Sequence, residues 1–133
     1  MGTLIDSSVL VEAERGRLNL DATLARYPEE QFSIAAITAS EMLHGLHGAA
    51  REEHRAGREV FVEGLLARFR VVPFDLEAAR VHARVGAQMM AKGQPVGSHD
   101  LIIAATAIAI GAHVATRDER SFPRIPGLSL LLW

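Results

Sequence analysis

Residues 3–14 read Thr3-Leu4-Ile5-Asp6-Ser7-Ser8-Val9-Leu10-Val11-Glu12-Ala13-Glu14. Thr3-Leu4-Ile5 is a short run of strand-forming residues, and it meets a lone acid at Asp6. Ser7 or Ser8 is the expected cap of a helix running to about Glu14, because a serine oxygen accepts an orphan N–H of the first turn. Strand, acid, helix is the opening of an α/β unit, and the same alternation continues along the chain. Leu20 to Tyr27 is expected as a short helix stopped before Pro28, and Phe32-Ser33-Ile34-Ala35 as a second strand. Thr38 has the place of an N-cap with Glu41 three residues on, the spacing of a capping box. Met42, Leu43 and Leu46 give that helix one apolar face, and Gly45 and Gly48 fall near its end.

A charged helix is expected from about Arg51 to Arg68, with an apolar stripe of Val60, Phe61, Leu65, Leu66 and Phe69. Arg70 to Phe74 reads as a third strand broken by Pro73. Leu76 to Lys92 reads as a helix closed by Gly93. The most apolar helix starts at Ser98 or His99 and ends at Gly111. His113-Val114-Ala115 is a fourth strand, and Leu128 to Leu132 a fifth, after the turn region of Pro123, Pro126 and Gly127. Strands separated by helices imply an α/β fold in three layers, with a central parallel sheet of four to five strands. No repeat, low-complexity tract or linker interrupts it, so residues 1–133 are expected to form a single domain.

The chain contains no cysteine and carries a net charge of −2. Disulfides and cysteine-bound zinc are therefore excluded as stabilisers, and no global basic field draws the protein to nucleic acid. Lys92 is the only lysine; the other basic residues are arginines, whose guanidinium matches phosphate oxygens in a bidentate way. The uncharged run through Leu101 to Val114 falls short of the roughly 20 apolar residues of a membrane span. The first residues have neither a basic n-region nor an apolar h-region, so no signal peptide is expected. A cytoplasmic location, without membrane attachment, is the expectation.

Asp6, Glu41, Asp100 and Asp118 are lone acids far apart in sequence, each at the edge of an apolar element. Taken singly, each has an ordinary reading. Asp6 suits a turn or the N-cap of its helix, Asp118 a turn, Glu41 a capping box, and Asp100 the positive end of a helix dipole. Taken together, they suggest that the fold gathers them. Two carboxylates about 4 Å apart repel by about 4 kcal/mol at an effective dielectric of 20. A serine would cap as well without that cost, so a hard divalent cation is the natural compensation. In open parallel sheets, sites form beyond the carboxyl ends of the strands, where Asp6 and Asp118 fall.

Other constellations carry less. Glu41 and His44 form one Glu-x-x-His pair, whereas a di-iron bundle needs two such pairs and two further glutamates. His44 and His47 suit a solvated helix surface. His99 is either a cap residue or a substrate contact. An aspartate phosphatase or receiver would need a second early Asp or a late lysine, and the chain has neither.

Four segments resemble the PIN-domain nucleases, and among them the short VapC-type toxins of toxin–antitoxin pairs. They are residues 4–10, Leu4-Ile5-Asp6-Ser7-Ser8-Val9-Leu10; residues 38–45, Thr38-Ala39-Ser40-Glu41-Met42-Leu43-His44-Gly45; residues 99–107, beginning His99-Asp100-Leu101; and Ala115-Thr116-Arg117-Asp118. The tail from Phe122 to Leu128 is also similar to that family's. The resemblance implies a PIN-like three-layer fold and a metal-dependent ribonuclease acting on single-stranded regions of RNA. It also implies a VapB-type cognate antitoxin and a homodimer. Asp6, Glu41, Asp100 and Asp118 occupy the family's acidic positions, as catalytic residues and ligands of Mg²⁺ or Mn²⁺. The fourth position is often Asn in such toxins and is Asp118 here. Ser8 and Thr116 match the accompanying hydroxyl positions, and local capping is their ordinary alternative.

Arg117 and Arg120 are the candidates for RNA phosphate contact. The helices from Leu76 to Ile110 carry Val81, Val85, Met89 and many alanines, and part of this apolar surface or its neighbours is expected to form a two-fold dimer. The helix pair from Glu41 to Phe69, with Leu46 and Phe61, is expected to offer a groove to the antitoxin. A non-catalytic module that keeps the fold and only binds RNA or a partner is the alternative function, separated from the first by metal-dependent cleavage.

Overall fold

The fold is that of a computed structural model, which describes residues 2–48 and 52–133. Strand β1 (Gly2–Ile5) leads into helices α1 (Ser7–Glu14) and α2 (Leu20–Ala25), then β2 (Gln31–Ala35), α3 (Ala36–His47) and α4 (Glu52–Arg68). Strand β3 (Arg70–Val72) follows, then α5 (Leu76–Ala91), α6 (Ser98–Ile110), β4 (His113–Thr116), a 3-10 turn at Phe122–Arg124 and β5 (Ser129–Leu132). The sheet order is β3-β2-β1-β4-β5, and every pairing is parallel. The expected alternation is therefore present, with five strands.

Strand alternation assigns neighbouring residues to opposite layers. Leu4 and Val114 pack with Val85, Met89, Ile103 and Phe122 on the side of α5 and α6. Ile5 and Ile34 pack with Val9, Leu10, Met42 and Val62 on the side of α1, α3 and α4. Each such aliphatic side chain, fully buried, contributes about 1.5–3 kcal/mol. Helix α6 is buried at five successive residues, Ile103 to Ala107, as its uninterrupted apolar run requires. It ends at Gly111, whose φ of 68° is costly for any side chain with a Cβ; the Ala112 N–H then reaches back to the Ala107 carbonyl at 2.9 Å.

Several local expectations are corrected. Asp6, not Ser7 or Ser8, caps α1, accepting the Ser8 N–H. Helix α2 ends at Ala25, two residues before Tyr27, and β3 ends at Val72, before Pro73. Helix α3 starts directly off β2 with Ala35 as its uncapped boundary, so the Thr38–Glu41 capping box does not form. The stripe of α4 runs through Val62 and Leu65, with Val60 75% exposed. Arg51, the expected start of that helix, lies outside the described residues. Leu46 is buried, so it belongs to the packing of α3 rather than to an open groove.

The chain runs from β1 to β2 and β3 on one side, then crosses to β4 and β5 on the other. The crevice between the carboxyl ends of β1 and β4 is therefore a topological switch point, the usual place of a site in such a sheet.

Candidate active site

Asp6 sits at that crevice, 3% exposed. Its N–H donates to the Ala115 carbonyl at 2.9 Å, tying the end of β1 to β4. Burying a carboxylate requires compensating donors, and Asp6 has them. Its Oδ2 accepts from Ser8 Oγ at 2.7 Å, from Thr116 Oγ1 at 3.0 Å and from the Ser8 N–H at 3.3 Å. Ser8 and Thr116, expected beside the acids, thus orient Asp6 from α1 and β4, and their hydroxyls lie 3.3 Å apart.

Glu41 projects from α3. Ser7 Oγ donates to its Oε2 at 3.2 Å. The other oxygen, Oε1, is buried and has no hydrogen-bond partner among the described residues; His99 Nδ1 stands 3.7 Å away. Burial raises the Glu41 pKa, an effect that His99 and the Ser7 bond oppose and the charge of Asp6 reinforces.

Asp100 lies in the first turn of α6. Burial, and then the charges of Asp6, Asp118 and Glu41, push its pKa from 3.8 up to about 6. Asp6, Asp118 and Glu41 therefore all lie within electrostatic reach of Asp100, and Asp6 of Glu41. Asp118 is the most solvated of them. Burial works to raise its pKa, but the backbone N–H groups of Arg120 and Ser121, the Ser121 hydroxyl and the Arg120 charge together hold it below its ordinary value.

Arg117 and Arg120 are exposed beside Asp118. Ser7 and Ser121 are the residues that sequence reasoning missed. Ser7 adjoins Asp6 and Ser121 follows Asp118 by three positions, so a hydroxyl close to an acid was the available signal. The Ser7–Glu41 bond itself spans 34 positions, which no local pattern reports.

Among the described residues, no group of three or more Asp, Glu, His or Cys side chains is arranged to hold a metal ion. The donor chemistry nonetheless suits a hard cation. All four acids offer oxygen, the choice of Mg²⁺ and Mn²⁺ over softer ligands. Glu41 Oε1 has no hydrogen-bond partner among the described residues, and the raised Asp100 reports negative charge in need of a positive partner.

The PIN domain family model matches residues 3–128. A ribonuclease VapC of Rickettsia bellii is 33% identical over 131 residues, covering 98% of this chain and 96% of that protein. A tRNA(fMet)-specific endonuclease VapC of Salmonella typhimurium is 32% identical over 119 residues, covering 90% and 83%. Among solved structures, the DNA-bound VapBC of Salmonella typhimurium matches with a TM-score of 0.88 at 25% identity, over 98% of this chain and 97% of that one. With the family model spanning nearly the whole chain, and a ribonuclease VapC aligned almost end to end, the chain belongs to the PIN-domain family, among its VapC-type ribonucleases of toxin–antitoxin systems.

Proposed function

We propose that the chain, as one PIN domain over residues 1–133, is a Mg²⁺- or Mn²⁺-dependent endoribonuclease toxin that cleaves single-stranded regions of RNA and is neutralised by a VapB-type antitoxin. The observation that carries this reading is the convergence of Asp6, Glu41, Asp100 and Asp118 from four separate segments on the crevice between β1 and β4. Asp6 and Asp100 are the residues that would chiefly hold the cation, with Glu41 and Asp118 supporting it. When bound, the cation supplies charge neutralisation at the phosphate and acidifies the attacking water.

The protein's own groups do the rest. Ser8 and Thr116 fix the rotamer of Asp6 through Oδ2, and such supporting bonds hold ligands in productive geometry. Ser7 fixes Glu41 by Oε2 and leaves Oε1 to face the site. Asp100, titrating at about 6, is mostly ionised at neutral pH and so available as a ligand. Arg117 and Arg120 flank the acids and contact RNA phosphates, offsetting the repulsion between an acidic site and an anionic substrate.

Assembly belongs to the same proposal. A groove of about 580 Å³ between α5 and α6 is lined by Gly86, Met89, Met90, Val96 and Leu101, and Leu76 and Met90 are 67% and 84% exposed. This apolar surface suits a homodimer. No helix among the described residues is long and apolar enough to cross a membrane.

The test is expression of the chain with and without its upstream neighbour gene, with RNA 5′ ends mapped after brief induction. Growth arrest with discrete new RNA ends, relieved by the neighbour and absent for Asp6→Asn, is the expected result. New ends produced equally by Asp6→Asn would overturn the proposal.

A further inference from the structure

The segment after β4 is tied down by an unusual concentration of side-chain bonds for a surface loop. Asp118 Oδ1 accepts the Arg120 N–H at 2.8 Å and the Ser121 N–H at 3.2 Å. The Asp118 N–H in turn donates to Thr116 Oγ1 at 2.9 Å. One residue earlier, the Arg117 N–H donates to Ser8 Oγ at 3.1 Å, the same hydroxyl that holds Asp6. At the far end, Arg124 Nε donates to the Arg120 carbonyl at 3.0 Å. These bonds fix a loop with three exposed arginines, Arg117, Arg120 and Arg124, at the edge of the acid cluster.

From this geometry we propose that Asp118 is a positioning residue for RNA binding: its Oδ1 builds the loop that presents Arg120 and Arg124 to the RNA backbone. The inference rests on the ribonuclease reading and deepens it by naming what grips the strand. Arg124 spends only Nε on the loop, so both terminal nitrogens of its guanidinium stay available for a phosphate. Arg120 holds the turn by its main-chain N–H and carbonyl, and its exposed side chain, though attracted by the Asp118 charge, makes no hydrogen bond of its own among the described residues and can turn to a phosphate. The three cations lie along one short loop, so the feature they fit is an extended chain of phosphates rather than a base edge. An arrangement of this kind adds affinity without sequence preference.

The role makes a prediction opposite in sign to simple charge counting. Removing a carboxylate near the strand should tighten binding of anionic RNA if the acid only repels it. A positioning acid behaves otherwise. Asparagine keeps a carbonyl oxygen with two acceptor sites, so Asp118→Asn retains both N–H bonds and loses the carboxylate charge, with its repulsion of RNA and its pull on Arg120. Asp118→Ala loses both bonds and releases the loop.

The test is fluorescence anisotropy of a labelled single-stranded RNA with the full chain in EDTA, for wild type, Asp118→Asn, Asp118→Ala, Arg120→Gln and Arg124→Gln. Asp118→Asn should bind as tightly as wild type or up to about threefold tighter. Asp118→Ala should bind about fivefold to tenfold more weakly, as each arginine variant should, since a charge-assisted contact is lost in each. Each arginine variant should also flatten the salt dependence, by about 0.7 in the log–log slope for one phosphate contact on a single strand. Circular dichroism identifies any variant that fails to fold, and the arginine variants are surface changes that test the same grip without touching the turn. Because binding is read in EDTA, failure of cleavage, which bears on the ribonuclease reading, does not interfere. Asp118→Ala binding more tightly than wild type, or Arg120→Gln and Arg124→Gln binding with unchanged affinity and salt slope, would overturn the inference.

Discussion

Asp100 titrates at about 6 because it is partly buried and faces Asp6, Asp118 and Glu41. Its ordinary value is 3.8, so the gap is about two pH units, or at most about 3 kcal/mol of differential interaction. The side chain remains substantially solvated, and screening brings this to about 1 kcal/mol. The sign follows from linkage. A group whose folded pKa is raised contributes stability that is complete below the unfolded value and lost as pH rises through the folded one. Cation-free wild-type protein should therefore lose about 1 kcal/mol between pH 3.8 and a little above pH 6, through Asp100. Asp100→Asn cannot ionise and is spared this loss. Thermal melts in EDTA should show the variant matching wild type near pH 4 and exceeding it by about 3–5 °C at pH 7.5, for a domain of this size. Saturating Mg²⁺ should reverse the order, since a ligand at 100 times its Kd adds about 2.7 kcal/mol to the form that binds it. A variant that melts below wild type at pH 7.5 in EDTA, or a difference that does not change with pH, would refute the electrostatic picture of the cluster.

Other outcomes follow from particular contacts. Thr38 is fully buried and its Oγ1 has no hydrogen-bond partner among the described residues; Thr38→Val should raise stability by about 1 kcal/mol in urea unfolding, and a loss of stability would mean that the hydroxyl is satisfied in solution. Phe122, at 0% exposure, anchors the segment between β4 and β5, and Phe122→Ala should cost about 3–5 kcal/mol, read in the same assay. Thr116→Val removes one donor to Asp6 and one acceptor for the Asp118 N–H; RNA cleavage should fall at least tenfold while the far-ultraviolet spectrum is unchanged. Sedimentation at tens of micromolar should give a mass twice 14.4 kDa, shifting toward the monomer for Met90→Glu, and a monomer throughout would count against the dimer.

The alternation of strand and helix was legible because each element is short, apolar and separated by turn residues, and the five strands lie where their apolar runs stand. The acids stood out for a different reason: each alone has an ordinary structural use, but four lone carboxylates at the ends of apolar elements together suggest one site. What was not legible depended on tertiary contact. The spacing from Thr38 to Glu41 satisfies the capping-box rule, but the extended backbone at Ala35, with ψ of 152°, lets α3 begin three residues earlier. Thr38 then falls inside the first turn and Glu41 is drawn to Ser7 instead. On α4, Val60 is as apolar as Val62, and only the packing of the helix against α3 and β3 decides that Val62 faces inward. The family resemblance suggested Ser8 and Thr116 as partners of the acids, while the convergence of both on a single oxygen of Asp6 required β4 to lie beside β1. The double role of Asp118 is of the same kind, since its turn and its nearness to Asp100 come from different levels of structure.

The central claim is that the four acids form a cation-dependent site for RNA cleavage. Its most direct measurement is cleavage of a labelled single-stranded RNA by purified protein, with Mg²⁺ or Mn²⁺ and with EDTA, for wild type and Asp100→Asn in parallel. The account predicts cleavage by wild type only with the added cation, abolished by EDTA, and nearly absent for a folded Asp100→Asn at every cation concentration. Full cleavage by Asp100→Asn in EDTA would contradict it.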